Sequence, residues 1–160
     1  MRSFQVFAAM TPEEAERMMR VLAEKAPAMF RQAVDAAAVS IKARPVYLRR
    51  QPFEKRAQAV RRSLSRIAAN TVADELLAIY FLECRKPLLL EWLDRVGLEH
   101  EDGTLADEAP AEPAASELAA AVEKYRGAGD EPDRELLLRA FAAQSAVEWP
   151  ALDALLGFAA

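Results

Sequence analysis

Cysteine, histidine and glycine are scarce in this 160-residue chain, which has one, one and five of them. A single cysteine excludes a disulfide framework within the chain, and together with one histidine it leaves too few ligands for a zinc site. We expect Cys84 to be a buried thiol in an apolar helix and His100 to lie in a solvated polar turn. The sequence therefore predicts no catalytic, metal or cofactor residues, and a protein that is not an enzyme.

Long apolar runs are also missing. The longest charge-free stretch around the hydrophobic centre is 76–82, far below the roughly 18 residues that a membrane-spanning helix requires. The apolar N-terminal residues give way at once to the polar segment 11–14, so we find no secretory signal. We expect a cytoplasmic protein without a membrane partner, and the Ala- and Arg-rich usage is compatible with a bacterial source.

Strong helix formers dominate what is present, since Ala, Leu, Arg and Glu are abundant and keep their side-chain freedom in a helix. The composition, 52% hydrophobic and 29% charged, provides for one real core. We predict an all-α fold: an irregular bundle of about five N-terminal helices plus a small C-terminal helical hairpin with a lid helix.

Caps and prolines place most of these helices. Thr11, Pro12 and the following glutamates predict a helix start, and the residue before Pro45 predicts a helix end. We expect an extended link over 46–50, a buried central helix over 72–84 whose apolar residues surround its axis, and a left-handed cap at Gly97. Shorter helices are expected from Ser116, from Asp130 and from Trp149.

The helix that begins at Phe53 has the clearest amphipathic pattern. At about 100° per residue, its apolar positions share one face: Phe53, Ala57, Val60, Leu64 and Ile67. Its opposite face gathers Lys55, Arg62 and Arg66. The pattern predicts a helix that faces the core on one side and presents positive charge on the other.

Charge is divided unevenly along the chain. Residues 1–96 carry 17 Lys and Arg against 11 Asp and Glu, whereas residues 97–160 carry 4 against 14. We predict a basic helical bundle over 1–100, an acidic Pro/Ala linker over 101–115 and a small acidic helical subdomain over 116–160.

Positive charge concentrates in the basic segment 42–66, which has nine Lys and Arg and one acid, Glu54. Such a segment either binds an acidic protein, nucleic-acid phosphates or the acidic half of its own chain, or is a solvated basic face without a partner. We select as candidate partner-binding residues Arg49, Arg50, Lys55, Arg61, Arg62 and Arg66.

Two functions from different classes fit this pattern. The leading hypothesis is a non-enzymatic helical adaptor or assembly component that binds other proteins through charged surfaces. The alternative is an RNA- or DNA-backbone binder that uses the segment 42–66. A small-molecule pocket around Trp92, Tyr80 and Phe81 ranks third, because such aromatics more often form the core.

Overall fold

A computed structural model describes residues 1–158 and confirms the all-α fold. The chain divides into two compact units. The N-terminal unit is Ser3–Cys84, and the C-terminal unit is the chain from Arg85 onward together with Met1–Arg2. The boundary lies at Cys84, whereas we placed it near residue 100, and the segment 101–115 falls inside the C-terminal unit.

The N-terminal unit is helical throughout. Its α-helices are α1 Ser3–Ala9, α2 Pro12–Lys25, α3 Pro27–Ser40, α4 Pro45–Arg49, α5 Phe53–Leu64 and α6 Asn70–Ile79. A 3-10 turn, Ile67–Ala69, precedes α6, and a π-helical turn, Tyr80–Cys84, follows it. Helix α3 packs against α2, α4 and α5, while α1 packs against α5 and α6. The core between these helices contains Phe7, Met18, Leu22, Val34, Val60 and Leu77.

The start of α2 follows the predicted capping pattern. The Thr11 hydroxyl accepts a hydrogen bond from the Glu14 N–H, and the Glu14 carboxylate accepts one from the Thr11 N–H. This reciprocal capping box satisfies donors that have no partner within the helix, and Pro12 occupies the first turn without losing a needed donor.

The predicted extended link over 46–50 is wrong, because Pro45–Arg49 form helix α4. Arg44 is extended, as expected of a residue before proline. Pro45 then opens a single helical stretch that buries Leu48. A five-residue helix shows too little of the 3.6-residue period to be recognised in a sequence.

The predicted central helix corresponds to α6 and the π-helical turn after it, which include Asp74, Glu75 and Glu83 and are not buried on all sides. Leu76, Leu77 and Tyr80 are almost fully buried, whereas Val72 is 49% exposed. The prediction of a buried central helix is therefore confirmed at Leu76, Leu77 and Tyr80 and wrong at Val72. The prediction of a buried Cys84 is confirmed.

The C-terminal unit contains helices α7 Lys86–Val96, α8 Ala115–Arg126, α9 Asp133–Ala143 and α10 Pro150–Leu155. Gly97 ends α7 in the left-handed conformation, φ 77°, as predicted. The core is built on Trp92, whose ring meets Tyr125 and Phe141 edge to face. Phe141 in turn contacts Trp149, so aromatic rings connect α7, α8, α9 and the start of α10.

The segment 101–115, which we predicted to be a linker, makes specific contacts within the C-terminal unit. Strands β1 His100–Glu101 and β2 Thr104–Leu105 pair in an antiparallel hairpin. Its turn residues, Asp102 and Gly103, both have positive φ, which is the conformation that an Asp-Gly hairpin turn requires. Farther along, the Trp149 indole N–H donates to the Pro110 carbonyl at 2.8 Å.

No helix within residues 1–158 is both long enough and apolar enough to cross a membrane.

Candidate partner-binding surface

The six candidate cations lie on α4, on α5 and in the turns that follow each of these helices. Arg49 ends α4 and Arg50 comes directly after it. Lys55, Arg61 and Arg62 belong to α5, and Arg66 precedes the 3-10 turn. The six side chains differ in whether they already bind other groups of the N-terminal unit.

Arg49 has an internal anionic partner. Its guanidinium makes two hydrogen bonds to the Asp35 carboxylate on α3, with Nε at 2.8 Å from Oδ1. This bidentate pair holds the pKa of Asp35 below its ordinary value and raises the pKa of Arg49. The charge of Arg49 is therefore largely compensated, and the pair fastens α4 to α3.

Arg61 is also used inside the N-terminal unit. Its guanidinium donates to the Met10 carbonyl at 3.2 Å and to the Gln58 side-chain oxygen at 3.0 Å. It therefore ties α5 to the turn between α1 and α2. Arg56, the neighbouring cation of the basic segment, lies over the rings of Phe30 and Phe53, 5.7 and 5.3 Å from their centroids.

The other four candidates are exposed and have no anionic or hydrogen-bonding side-chain partner in the described part of the chain. They are Arg50, Lys55, Arg62 and Arg66. Lys55 and Arg62 are seven residues apart on α5, which places them on the same face and about 10 Å apart along the helix axis. We name these four residues the free cations. Lys42 and Arg44 share this exposure and this lack of partners.

Four exposed apolar side chains lie in the same segment as Lys42 and Arg44. The sequence pattern did not predict their exposure. Val39 is 68% exposed, Ile41 50%, Val46 52% and Tyr47 59%. All four lie between the end of α3 and the middle of α4, and we name the segment 39–47 the α3–α4 corner. Val39 lies in the last turn of α3 and Ile41 is its C-cap residue, whereas Val46 and Tyr47 belong to α4, which the sequence did not predict.

Groups with acid–base or metal-binding chemistry do not assemble into a second site. No cluster of three or more metal-ligating side chains occurs among residues 1–158. The His100 ring binds the Asp94 carboxylate through Nε2 at 2.7 Å and accepts the Gly103 N–H at Nδ1, so it stabilises the β hairpin. Burial raises the pKa of the Cys84 thiol, which reduces its thiolate content and its reactivity.

The aromatic residues of the third hypothesis belong to cores. Tyr80 and Phe81 are buried in the N-terminal unit, and Trp92 is buried in the C-terminal unit. These rings pack against other apolar side chains within their own units, as core residues do.

The C-terminal unit also has a buried cation with two partly exposed carboxylate partners. Arg134, only 6% exposed, binds Glu91 and Glu131 and donates to the Tyr125 carbonyl. Its guanidinium lies 4.9 Å from the Tyr125 ring centroid. Because every partner is another residue of the same unit, we assign this cluster a structural role.

Comparisons of the chain with protein-family models, with curated proteins and with solved structures found no match.

Proposed function

We propose that this chain is a non-enzymatic helical adaptor or assembly component that binds an acidic protein through the basic surface of its N-terminal unit. The observation that carries the proposal is the set of free cations, Arg50, Lys55, Arg62 and Arg66, which have no anion within the described chain. An uncompensated positive surface attracts negatively charged partners and increases their association rate.

Three features favour a protein over a nucleic acid. Arg49 and Arg61 are already occupied, which removes two of the six candidates from any continuous phosphate track. The chain as a whole carries a net charge of −4, which opposes a nucleic acid, with one charge per phosphate, more strongly than a protein whose acidic residues are scattered. The exposed apolar side chains of the α3–α4 corner make no favourable interaction with phosphates, but their burial against a partner would stabilise a protein interface.

The C-terminal unit supplies a second, oppositely charged surface. Ser3–Cys84 carry 13 Lys and Arg against 9 Asp and Glu, a net charge of +4, and the rest of the chain carries 8 against 16, a net charge of −8. Two units of opposite sign suit an adaptor that binds two different partners, because each unit repels the partner of the other.

Nucleic-acid binding is the second candidate, and the exposed ring of Tyr47 is the observation that favours it. An aromatic side chain beside cations can stack on an unpaired base. If the four free cations each neutralise one phosphate of a duplex, log affinity falls with log salt with a slope of about −3.6.

Fluorescence anisotropy with three labelled probes tests the proposal at about 50 mM NaCl, where screening is weak. The probes are an acidic peptide, a single-stranded RNA and a DNA duplex. We expect the peptide to bind, and the double variant Lys55→Gln/Arg62→Gln to bind it more weakly. The control, Arg95→Gln/Lys124→Gln, removes the same formal charge from the C-terminal unit, where Arg95 pairs with Glu91 and Lys124 is exposed, and should bind as the parent does.

Each other outcome has a defined meaning. Equal weakening in both double variants would show that overall charge, and not this surface, attracts the peptide. Binding of RNA or DNA without binding of the peptide would replace the adaptor function with the second candidate. Absence of binding to all three probes would overturn both.

A further inference from the structure

The α3–α4 corner concentrates exposed apolar surface. Among residues 1–158, seven large apolar side chains are at least 37% exposed, and four of them, Val39, Ile41, Val46 and Tyr47, lie within nine residues of one another. Single exposed apolar residues are ordinary on a protein surface, but several of them within one short segment indicate an interaction surface.

The corner is held in one conformation by its own backbone. The Ala43 N–H donates to the Ala38 carbonyl and the Lys42 N–H to the Val39 carbonyl, which is the Schellman pattern that ends a helix. Lys42 has φ 56°, a left-handed conformation that favours glycine over lysine. Lysine in place of glycine at this turn therefore carries a conformational cost.

Two contacts fasten the helix that follows. Leu48 is buried beneath α4, and the ion pair between Arg49 and Asp35 joins α4 to α3. The exposed side chains of Val46 and Tyr47 therefore project from a rigid base, so binding a partner costs little ordering of the corner.

The rim of the corner is positive. Lys42, Arg44 and Arg50 are exposed and have no anionic partner in residues 1–158. The one carboxylate of α3, Asp35, is already paired with Arg49. An occupant that complements this surface must bring apolar side chains flanked by carboxylates.

We propose that the α3–α4 corner is the docking site for an acidic amphipathic helix of the partner protein. This inference rests on the proposed function and specifies its partner. A helix presents apolar side chains at positions i, i+3 and i+4 with acids on either side, which matches an apolar group within a cationic rim. A strand-like partner has no edge to join here, because Ser3–Cys84 contain no strand.

The test uses a labelled synthetic peptide of about 18 residues, or five helical turns, with leucines on one helical face and glutamates elsewhere. A scrambled peptide of the same composition lacks the apolar face. We expect the amphipathic peptide to bind at least about tenfold more tightly than the scrambled one, as measured by anisotropy at about 50 mM and about 300 mM NaCl.

Variants locate the binding site. Val46→Ser/Tyr47→Ser should weaken binding of the amphipathic peptide by about tenfold or more, whereas Ile67→Ser, at another exposed apolar position, should change it less than about twofold. Lys42→Gln/Arg44→Gln should weaken binding at low salt and flatten its salt dependence. Thermal melting checks that each variant is folded, and substitution of exposed side chains leaves the core intact.

Two results would overturn the inference: equal affinity for the two peptides, or undiminished binding by Val46→Ser/Tyr47→Ser. If either occurs while Lys55→Gln/Arg62→Gln still weakens acidic-peptide binding, the proposed function stands and only the docking site is refuted. A sedimentation assay with anionic phosphatidylserine vesicles provides the remaining control. Loss of vesicle binding in Val46→Ser/Tyr47→Ser, without loss of peptide binding, would assign the corner to lipid.

Discussion

The buried cation of the C-terminal unit gives the sharpest stability prediction, through the substitution Arg134→Met. The Arg134 side chain is 8% exposed and is bonded to Glu91 and Glu131 at 3.0 Å each and to the Tyr125 carbonyl at 3.2 Å. Methionine retains much of the apolar stem but none of the donors. The variant therefore removes the charge while it preserves most of the packing.

The expected loss in the free energy of unfolding is about 2–3 kcal/mol. Removal of one partner from a fully buried ion pair costs about 3–5 kcal/mol. Here Glu91 is 31% and Glu131 48% exposed, so water can solvate both carboxylates after the substitution, which places the estimate below that range. Loss of the hydrogen bond from Arg134 to the Tyr125 carbonyl and loss of the cation–π contact with the Tyr125 ring each contribute about 1 kcal/mol to this total.

Urea unfolding followed by tryptophan fluorescence measures this loss within the right unit, because both tryptophans of the chain, Trp92 and Trp149, belong to the C-terminal unit. The matched control is Arg95→Met. Arg95 also binds Glu91, at 3.3 Å, but its side chain is 30% exposed and pairs within one helix. Such a pair contributes only about 0.3–0.5 kcal/mol.

Acid provides a second readout of the same contact. A hydrogen bond from its own backbone and the Arg134 guanidinium lower the pKa of Glu131. A carboxylate with a lowered pKa in the folded state stabilises the fold above its ordinary pKa, and this contribution is lost as the pH falls through the folded value. The stability difference between the parent and Arg134→Met should therefore narrow below about pH 4. A loss no larger than that of Arg95→Met, at neutral pH, would refute the reasoning.

Three further predictions concern other parts of the chain. Lys42→Gly should raise the free energy of unfolding of the N-terminal unit by about 1 kcal/mol, because glycine adopts φ 56° without strain; Lys42→Ala, measured by the same circular-dichroism melts, should give no such gain. Trp149→Phe should lower the free energy of unfolding of the C-terminal unit by about 1–3 kcal/mol, since it leaves the Pro110 carbonyl without its donor. Trp92 fluorescence during urea unfolding measures this change, and an unaltered unfolding midpoint would mean that Trp149 does not anchor the segment 101–115. Asp35 should titrate below an ordinary aspartate in a carboxyl-detected NMR experiment, and Arg49→Gln should move its midpoint back upward, because Arg49 lowers its pKa.

Local signals in the sequence were sufficient for most helices. The capping box at Thr11 and Glu14 and the left-handed Gly97 follow from residue types at fixed spacing, and the structure has both. The apolar face of α5 was also predicted, and Ala57, Val60 and Leu64 are buried there. Ile67, which was predicted to share that face, lies beyond the end of α5 and is 68% exposed. Helix α4 was missed because it is held by burial of Leu48 and by the Arg49–Asp35 pair, neither of which leaves a periodic pattern.

One local signal was overlooked. The Asp102-Gly103 pair is a strong hairpin turn sequence, but the surrounding acids and prolines led us to predict a linker. Its anchoring through Trp149 and Pro110 joins residues far apart along the chain, and no local pattern reveals a contact of that kind.

Composition and short-range spacing determined that this chain is helical, where most of its helices begin and end, and which segment is basic. They could do so because helix formation and the net charge of a segment depend on residues that are close together in sequence. Only the tertiary structure decided which arginines bind internal partners, such as Arg49, which binds Asp35, and Arg61, which binds the Met10 carbonyl. It also decided that the segment 39–47 exposes its apolar side chains. Whether a charge is paired and whether a side chain is buried depend on which helices pack together. The packing of α3, α4 and α5 results from many long-range contacts acting together, and no single local pattern in the sequence reveals it.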